Sequence, residues 1–262
     1  MFNSLNGGED SKVFSCRTAS PVEWKAVVSA IKSVVEEATF EITSESLAFR
    51  AMDPSHVALV DLVWPSNAFQ AFQCDKQSRF ALRVEDLVKL IGRSEAKDTV
   101  EISSTADDAI MMRLADGYTR EFTIHLIESS IGPAPMPKLE FDAKATVTKA
   151  IFEKVLSDVS VVSDQVSIQA LGDKLTFSGK SDIGDATIDL LKNDAHVLEI
   201  NTAVESKSTY SVDYLKNFVK AVGDASETLA ISFSGRKPIL IEARLNNQGT
   251  RLQFFLAPRI AD

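Results

Sequence analysis

The residues of this chain that could do chemistry are few and dispersed. His56, His125 and His196 stand far apart, and none belongs to an H-E-x-x-H pattern, whose spacing puts two imidazoles on one helix face around a zinc ion. His125 alternates within a strand pattern and reads as an ordinary sheet residue. Asp53, His56 and Asp61 lie close enough to suggest the acid–base cluster of a hydrolase. Asp53-Pro54-Ser55 is also a turn sequence, since Asp bonds its own following backbone and Pro presets φ, and the turn is the simpler reading. Gly179-Lys180-Ser181 looks like the end of a phosphate-binding loop, but that loop needs glycine where Lys174 stands, and it leads from a strand into a helix. Cys16 and Cys74 are distant from each other and outside any C-x-x-C, so they read as reduced, half-buried strand residues of an intracellular protein. No catalytic residue, metal ligand or cofactor is expected. Binding or scaffolding is the better class.

Charge points the same way once its placement is read. The chain carries 28 Lys plus Arg against 37 Asp plus Glu, a net charge of −9, which by itself argues against a phosphate-binding surface. The basic residues, however, recur on helix faces turned away from the apolar stripe. Lys25 and Lys32 lie opposite Trp24, Val28, Ile31 and Val35. Lys89 and Arg93 stand four apart, away from Leu87 and Ile91. Lys149 and Lys154 fall outside the Phe152–Val159 face, and Lys216 and Lys220 repeat the four-residue spacing. The acids gather elsewhere, as in Glu36, Glu37, Glu41 and Glu45, or at helix starts such as Glu85-Asp86 and Asp213, where the helix dipole favours them. An acidic protein with one lightly basic helical surface would hold a polyanion loosely and read no base sequence.

The elements that carry these residues come twice. A strand near Val13–Arg17, a helix opened by Ser20-Pro21, and strands at Thr39–Thr43, Ser46–Met52 and His56–Val63 are followed by a helix over Val84–Arg93 and strands at Thr99–Ser103 and Ala109–Leu114. The same order returns after Phe141: a strand over Phe141–Thr146, a helix with Phe152, Val155, Leu156 and Val159 inward, and strands at Gln165–Leu171 and Lys174–Gly179. A helix over Val212–Val222 and strands at Glu227–Phe233 and Pro238–Arg244 complete it. Phe14 recurs as Phe141 and Val84 as Val212, a constant spacing of about 128 residues that marks a duplication.

Strands outnumber helices and the turns are short, which predicts an α+β fold of antiparallel sheet with two helices per half gathered on one face. The segment 128–140 holds Pro133, Pro135 and Pro137 and reads as an extended connector. The expected division is a polar extension over 1–12, a first domain over 13–127, the connector over 128–140 and a second domain over 141–262. No apolar run approaches the ~20 residues that cross a bilayer, and no membrane association is expected.

Local motifs add a resemblance. Ala51-Met52-Asp53-Pro54-Ser55-His56-Val57-Ala58-Leu59-Val60 is similar to the signature turn and strand of the archaeal and eukaryotic sliding clamps, the proliferating cell nuclear antigen family. Tyr210–Lys220 resembles that family's fourth helix, and Leu252–Ile260 its last strand and tail. The resemblance runs from about Val13 to Ile260, and the Asp-Pro form of the turn looks archaeal.

What the resemblance implies is a ring of three subunits and six pseudo-equivalent domains that closes on trimerisation, with helices lining the hole and a continuous sheet outside. It further implies a processivity factor that encircles double-stranded DNA without sequence preference. DNA polymerase, clamp loader, ligase and nucleases would dock by short hydrophobic and aromatic peptide motifs. The residues facing DNA would be Lys25, Lys32, Lys89, Arg93, Lys154, Lys216 and Lys220. The client pocket would take Met52, His56, Val57 and Leu59 from the first half, Ile131 from the connector, and Pro238, Phe255, Ala257, Pro258 and Ile260 from the second. Asp213 and Ser157 depart from the basic residues the family often has there. The expected location is cytoplasmic, with the archaeal nucleoid, or nuclear in a eukaryote. The alternatives are a subunit of a heterotrimeric clamp, replicative or checkpoint, and more remotely a hydrolase using Asp53 and His56.

Overall fold

The computed structural model describes residues 13–105, 107–129 and 132–259. The first half runs β1 (Phe14–Thr18), α1 (Val22–Lys32), β2 (Glu37–Ile42), β3 (Ser46–Met52), β4 (Ala58–Pro65), β5 (Ala71–Cys74) and β6 (Ser78–Arg83). It continues with α2 (Val84–Ile91), β7 (Thr99–Ser104), β8 (Ala109–Asp116) and β9 (Tyr118–His125). The second half repeats this order element for element. It comprises β10 (Ala143–Thr148), α3 (Lys149–Val159), β11 (Gln165–Leu171), β12 (Lys174–Ser181), β13 (Gly184–Leu191), β14 (Val197–Thr202) and β15 (Ser206–Ser211). It ends with α4 (Val212–Val222), β16 (Thr228–Phe233), β17 (Ile239–Arg244) and β18 (Arg251–Leu256).

Several boundaries differ from their sequence positions: the strand expected from Phe141 is Ala143–Thr148 and the second helix ends at Ile91, and two further shifts have clear local reasons. Pro21 caps α1 instead of opening it: the Val22 amide donates to Ser20 Oγ at 3.4 Å and the Lys25 amide to the Pro21 carbonyl at 2.9 Å. The strand expected from His56 starts at Ala58, because 53–57 form a turn with His56 in the left-handed region at φ 58°. Between β9 and β10 the described residues of the connector form no regular element, as three prolines dictate.

The sheets show the duplication in their strand order. The first half orders β5-β1-β7-β8-β9 in one sheet and β6-β2-β3-β4 in another, and the second half orders β14-β10-β16-β17-β18 and β15-β11-β12-β13. These are the same arrangements. One contact joins the halves: β18 pairs antiparallel with β4, from Arg251 opposite Val63 to Leu256 opposite Ala58, making one nine-stranded sheet through both. The counterparts of these two strands, β9 and β13, each have a single neighbour, β8 and β12.

Strand alternation buries one face of every sheet against the helices. Trp24 of α1 packs on Trp64 of β4 at 4.8 Å between ring centroids, Phe152 of α3 on Phe177 of β12 at 6.0 Å, and Phe218 of α4 stacks on Phe254 of β18 at 4.6 Å. The helices themselves lie side by side in the order α3, α4, α1, α2, a single layer on one side of the sheets. Gly179 of the Gly-Lys-Ser run belongs to this packing. A Cβ there would come within 2.7 Å of Val159 Cγ1 and 2.9 Å of Ser163 Cβ. Its glycine is steric, and no phosphate loop is present at this strand.

Candidate functional site

Two surfaces follow from this layering. The first is the outward side of the helical layer. Lys25, Lys32, Lys89, Arg93, Lys154 and Lys220 are all exposed there, as the helix periodicity requires once the apolar stripe is buried. Two of the six are already engaged. Lys25 Nζ donates to the Ser94 carbonyl at 3.1 Å, just beyond the end of α2, and Lys89 pairs with Glu85 at 2.8 Å, a contact that lowers the Glu85 pKa. Lys216 is half-buried and donates to Ser160 Oγ at 3.1 Å, and Lys149 is half-buried on the Gly223 carbonyl at 2.5 Å; these two tie helix ends together. Asp213 and Ser157 are exposed on the same layer, so its basic character is diluted. Such a surface suits weak, movable contact with a polyanion better than tight binding.

The second surface lies on the opposite face of the nine-stranded sheet. A cavity of about 1160 Å³ opens between β2, β3, β4, the loop after α1 and the connector residues Ser129 and Gly132–Pro135. The connector is fixed at both ends of its crossing. The Ile127 amide donates to the Ala81 carbonyl at 3.0 Å and Thr39 Oγ1 to Ser129 Oγ at 3.3 Å; beyond the cavity, Lys237 Nζ donates to the Glu140 carbonyl at 3.3 Å. On the cavity floor Arg50 Nε donates to buried Asp61 Oδ1 at 2.6 Å. Asp61 is therefore a structural ion-pair partner, and Gln253 and Glu242 continue its row across the sheet.

Of the residues expected in a client pocket, Met52 and His56 line the cavity. Val57 is 36% exposed beside them. Leu59 and Phe255 stand in the same cross-strand row as Met52, but they are 2% and 7% exposed, lie outside the main core cluster and do not line the cavity. Ala257, Pro258 and Pro238 are half-buried near the ends of β18 and β17 and do not line the cavity. Ile131 and Ile260 lie outside the described residues. The cavity also takes Val34, Val35, Thr39, Ala48 and Arg50, which sequence reasoning missed. The alternation of Ala48, Arg50 and Met52 on one face of β3 was the available signal, since that face is neither uniformly polar nor part of the core.

The Asp53 turn builds the cavity rim. Asp53 is buried, and its carboxylate accepts from the amides of Val57 at 2.8 Å, Ala58 at 2.7 Å and Ser55 at 3.3 Å, and from the Tyr214 hydroxyl at 3.2 Å. A carboxylate so occupied is a turn-former and leaves the acid–base reading without its acid. Among the described residues no group of three or more His, Cys, Asp or Glu could hold a metal ion. Cys16 is buried, Cys74 half-buried, and both are free.

A matching cavity of about 790 Å³ sits on the four-stranded sheet of the second half, lined by the loop after α3 and by β11, β12, β13 and β15. Its lining at the equivalent positions is Ser167, Ser178 and Lys180 in place of Thr39, Arg50 and Met52. The duplicated groove has thus diverged in chemistry.

A duplicated α+β chain with one helical layer, a sheet continuous through both halves and the counterparts of its two joining strands, β9 and β13, both at sheet edges has the sliding-clamp fold. The chain superposes with a TM-score of 0.89 on a crystal structure of proliferating cell nuclear antigen from Thermococcus kodakaraensis, 24% identical, covering 94% of this chain and all of that one. Residues 14–128 match the N-terminal domain of proliferating cell nuclear antigen and residues 135–259 its C-terminal domain. The chain belongs to the proliferating cell nuclear antigen family. It is 42% identical to the DNA polymerase sliding clamp of Cenarchaeum symbiosum, over 95% of this chain and 99% of that protein. To the DNA polymerase sliding clamp of Nitrosopumilus maritimus it is also 42% identical, over 94% and 98%.

Proposed function

We propose that this chain is the subunit of a homotrimeric, non-catalytic DNA polymerase sliding clamp. The observation that carries the reading is the junction of the two halves. Within the chain, β18 closes on β4; the equivalent strands β9 and β13 are edge strands, each paired on one side only, with β8 and β12. An unpaired edge strand invites another strand, and a head-to-tail contact that repeats the internal one generates a ring. Each subunit then contributes two equivalent domains, 13–127 and 141–262, joined by the connector 128–140. Three subunits give the six-domain ring of the family.

Double-stranded DNA passes through the ring beside Lys25, Lys32, Lys89, Arg93, Lys154, Lys216 and Lys220, held by enclosure and by loose phosphate contacts. The acidic total charge, −9, does not oppose this, because topological linkage replaces affinity. DNA polymerase, clamp loader, ligase and nucleases dock as extended peptides with hydrophobic and aromatic anchors in the groove beneath the connector, at Met52, His56 and Val57, with Leu59, Ile131, Pro238, Phe255, Ala257, Pro258 and Ile260 completing it. The protein works in the cytoplasm of an archaeal cell, on the nucleoid. No helix among the described residues is long and apolar enough to cross a membrane.

The test combines sedimentation of the isolated chain with a loader-dependent polymerase assay on a primed circular template. A trimer that extends the length of product made per binding event is expected. A monomer that trimerises only with other clamp subunits would replace the homotrimer by the heteromeric ring, and a trimer without effect on the polymerase would overturn the function.

A further inference from the structure

The two halves repeat each other closely, so the places where they differ mark what was added to the scaffold. Asp53 and Tyr214 are such a place. The position equivalent to Asp53, about 128 residues on, is Ser181, and the position equivalent to Tyr214 in α2 is Asp86. Ser181 does take part in a local turn, its Oγ accepting from the Ile183 amide at 3.2 Å, but it makes no bond comparable to the Asp53–Tyr214 contact. Within the chain the Asp53–Tyr214 hydrogen bond lies at the junction of the halves, and the equivalent positions carry other residue types, Ser181 and Asp86.

This bond joins the two halves of the molecule. Tyr214 belongs to α4, a member of the helical layer, and lies in the second half; Asp53 belongs to the first half. Asp53 in turn holds the amides of Val57 and Ala58, which keeps His56 at a positive φ that a side chain with a Cβ adopts only under constraint. The Val57 carbonyl, fixed by the same turn, accepts from the Ala257 amide at 2.8 Å where the chain leaves β18. We infer that Tyr214 is a positioning residue for the client groove, acting through Asp53 to hold the 53–57 turn and the exit of β18 in register. The inference rests on the groove beneath the connector being the client site.

The chemistry suits the role. Burial pushes the Tyr214 pKa up, and the Asp53 charge and the hydrogen bond push it further, so the hydroxyl keeps the proton it donates. A tyrosine on a packed helix is a stiff support, whereas water would leave the turn free to relax. The hydroxyl touches neither the cavity nor the exposed lysines, so its removal separates positioning from direct contact.

The test is Tyr214→Phe, which deletes one oxygen and keeps the ring. Amide hydrogen exchange at Val57 and Ala58 is expected to accelerate, with the melting curve and trimer mass close to those of the unaltered protein. Calorimetry with a short synthetic peptide bearing one aliphatic and two phenylalanine anchors should show affinity weakened about three- to tenfold, the scale of one ordinary net hydrogen bond. In an Asp53→Asn background the same change should have a much smaller effect, because the strong acceptor is gone. Unaltered peptide affinity in Tyr214→Phe, or unaltered exchange at Val57 and Ala58, would overturn the positioning role. If the unaltered protein fails to bind the peptide, the client-groove reading falls, and the exchange rates alone still decide whether Tyr214 holds the turn.

Discussion

Single side chains in this protein divide into those that build and those that are free to bind, and the division decides which substitutions are informative. Leu59 is 2% exposed, so Leu59→Ala removes packed volume and is expected to cost about 2–5 kcal/mol of stability, read as a lowered denaturant midpoint. It is a poor probe of client binding. Met52→Ala and His56→Ala, at partly exposed and exposed positions on the cavity, should weaken peptide binding with little change in that midpoint. Asp98 is the clearest pH-dependent residue. Burial pushes its carboxyl up, but the Glu95 amide and the Arg120 guanidinium outweigh that and hold it below the ordinary carboxylate range. Because the folded value lies below the unfolded one, the pair stabilises the protein above the unfolded carboxylate pKa, and the contribution fades as pH falls through the folded value. Melting temperatures measured from pH 7 downward should therefore converge for the unaltered protein and Asp98→Asn at the acid end, and differ at neutral pH.

Elements add what no residue has alone. Each helix carries only one or two outward cations, and several of these are engaged with a neighbour; four helices in one layer gather them into a field. Replacing Lys25, Lys32, Lys89 and Lys220 with Ala should leave the fold intact and shorten residence on DNA. The dependence of log affinity on log salt should flatten by roughly 0.9 for each lysine that meets a phosphate. An unchanged salt slope in the fourfold variant would place the DNA contacts elsewhere. Gly179 is the counter-example, an element-scale constraint that looks like chemistry. Gly179→Ala forces β12 away from Val159 and Ser163, and an appreciable loss of stability is expected in thermal unfolding.

At the scale of the whole molecule, the internal junction is a template for assembly. The β18–β4 pairing fixes how a β9 strand should meet a β13 strand, antiparallel and edge to edge. Cysteine pairs placed across β9 and β13 of neighbouring subunits, in a Cys74→Ser background that removes the half-buried thiol, should give a covalent trimer under mild oxidation. Pairs placed within one subunit's β8 and β9 should not. In the proposed ring the same logic lets an acidic protein serve DNA: closure would hold the duplex, and weak contacts would let it move.

How much of this was written in the sequence depends on the range of the interaction. The duplication, the α+β class, the four helices and the Pro-rich connector are local or periodic properties, legible in Val84 and Val212 and in Pro133, Pro135 and Pro137; Phe14 and Phe141 are not equivalent, since β1 opens at Phe14 and β10 at Ala143. The outward placement of the lysines follows from helix periodicity for the same reason. The motif of Met52, Asp53 and His56 pointed to the correct turn because Asp bonds backbone within five residues of itself. Tertiary structure decided the rest. That Leu59 and Phe255 are buried side by side depends on β4 pairing with β18 across nearly two hundred residues, and that Arg50, Ala48 and Val35 face one cavity depends on the connector crossing their sheet. Lys216 reads as a member of a basic stripe and Lys149 as lying outside the apolar face, yet their ammonium groups meet Ser160 and the Gly223 carbonyl on neighbouring segments. A period in the sequence says which way a side chain leaves its own element, and only packing says what it meets there.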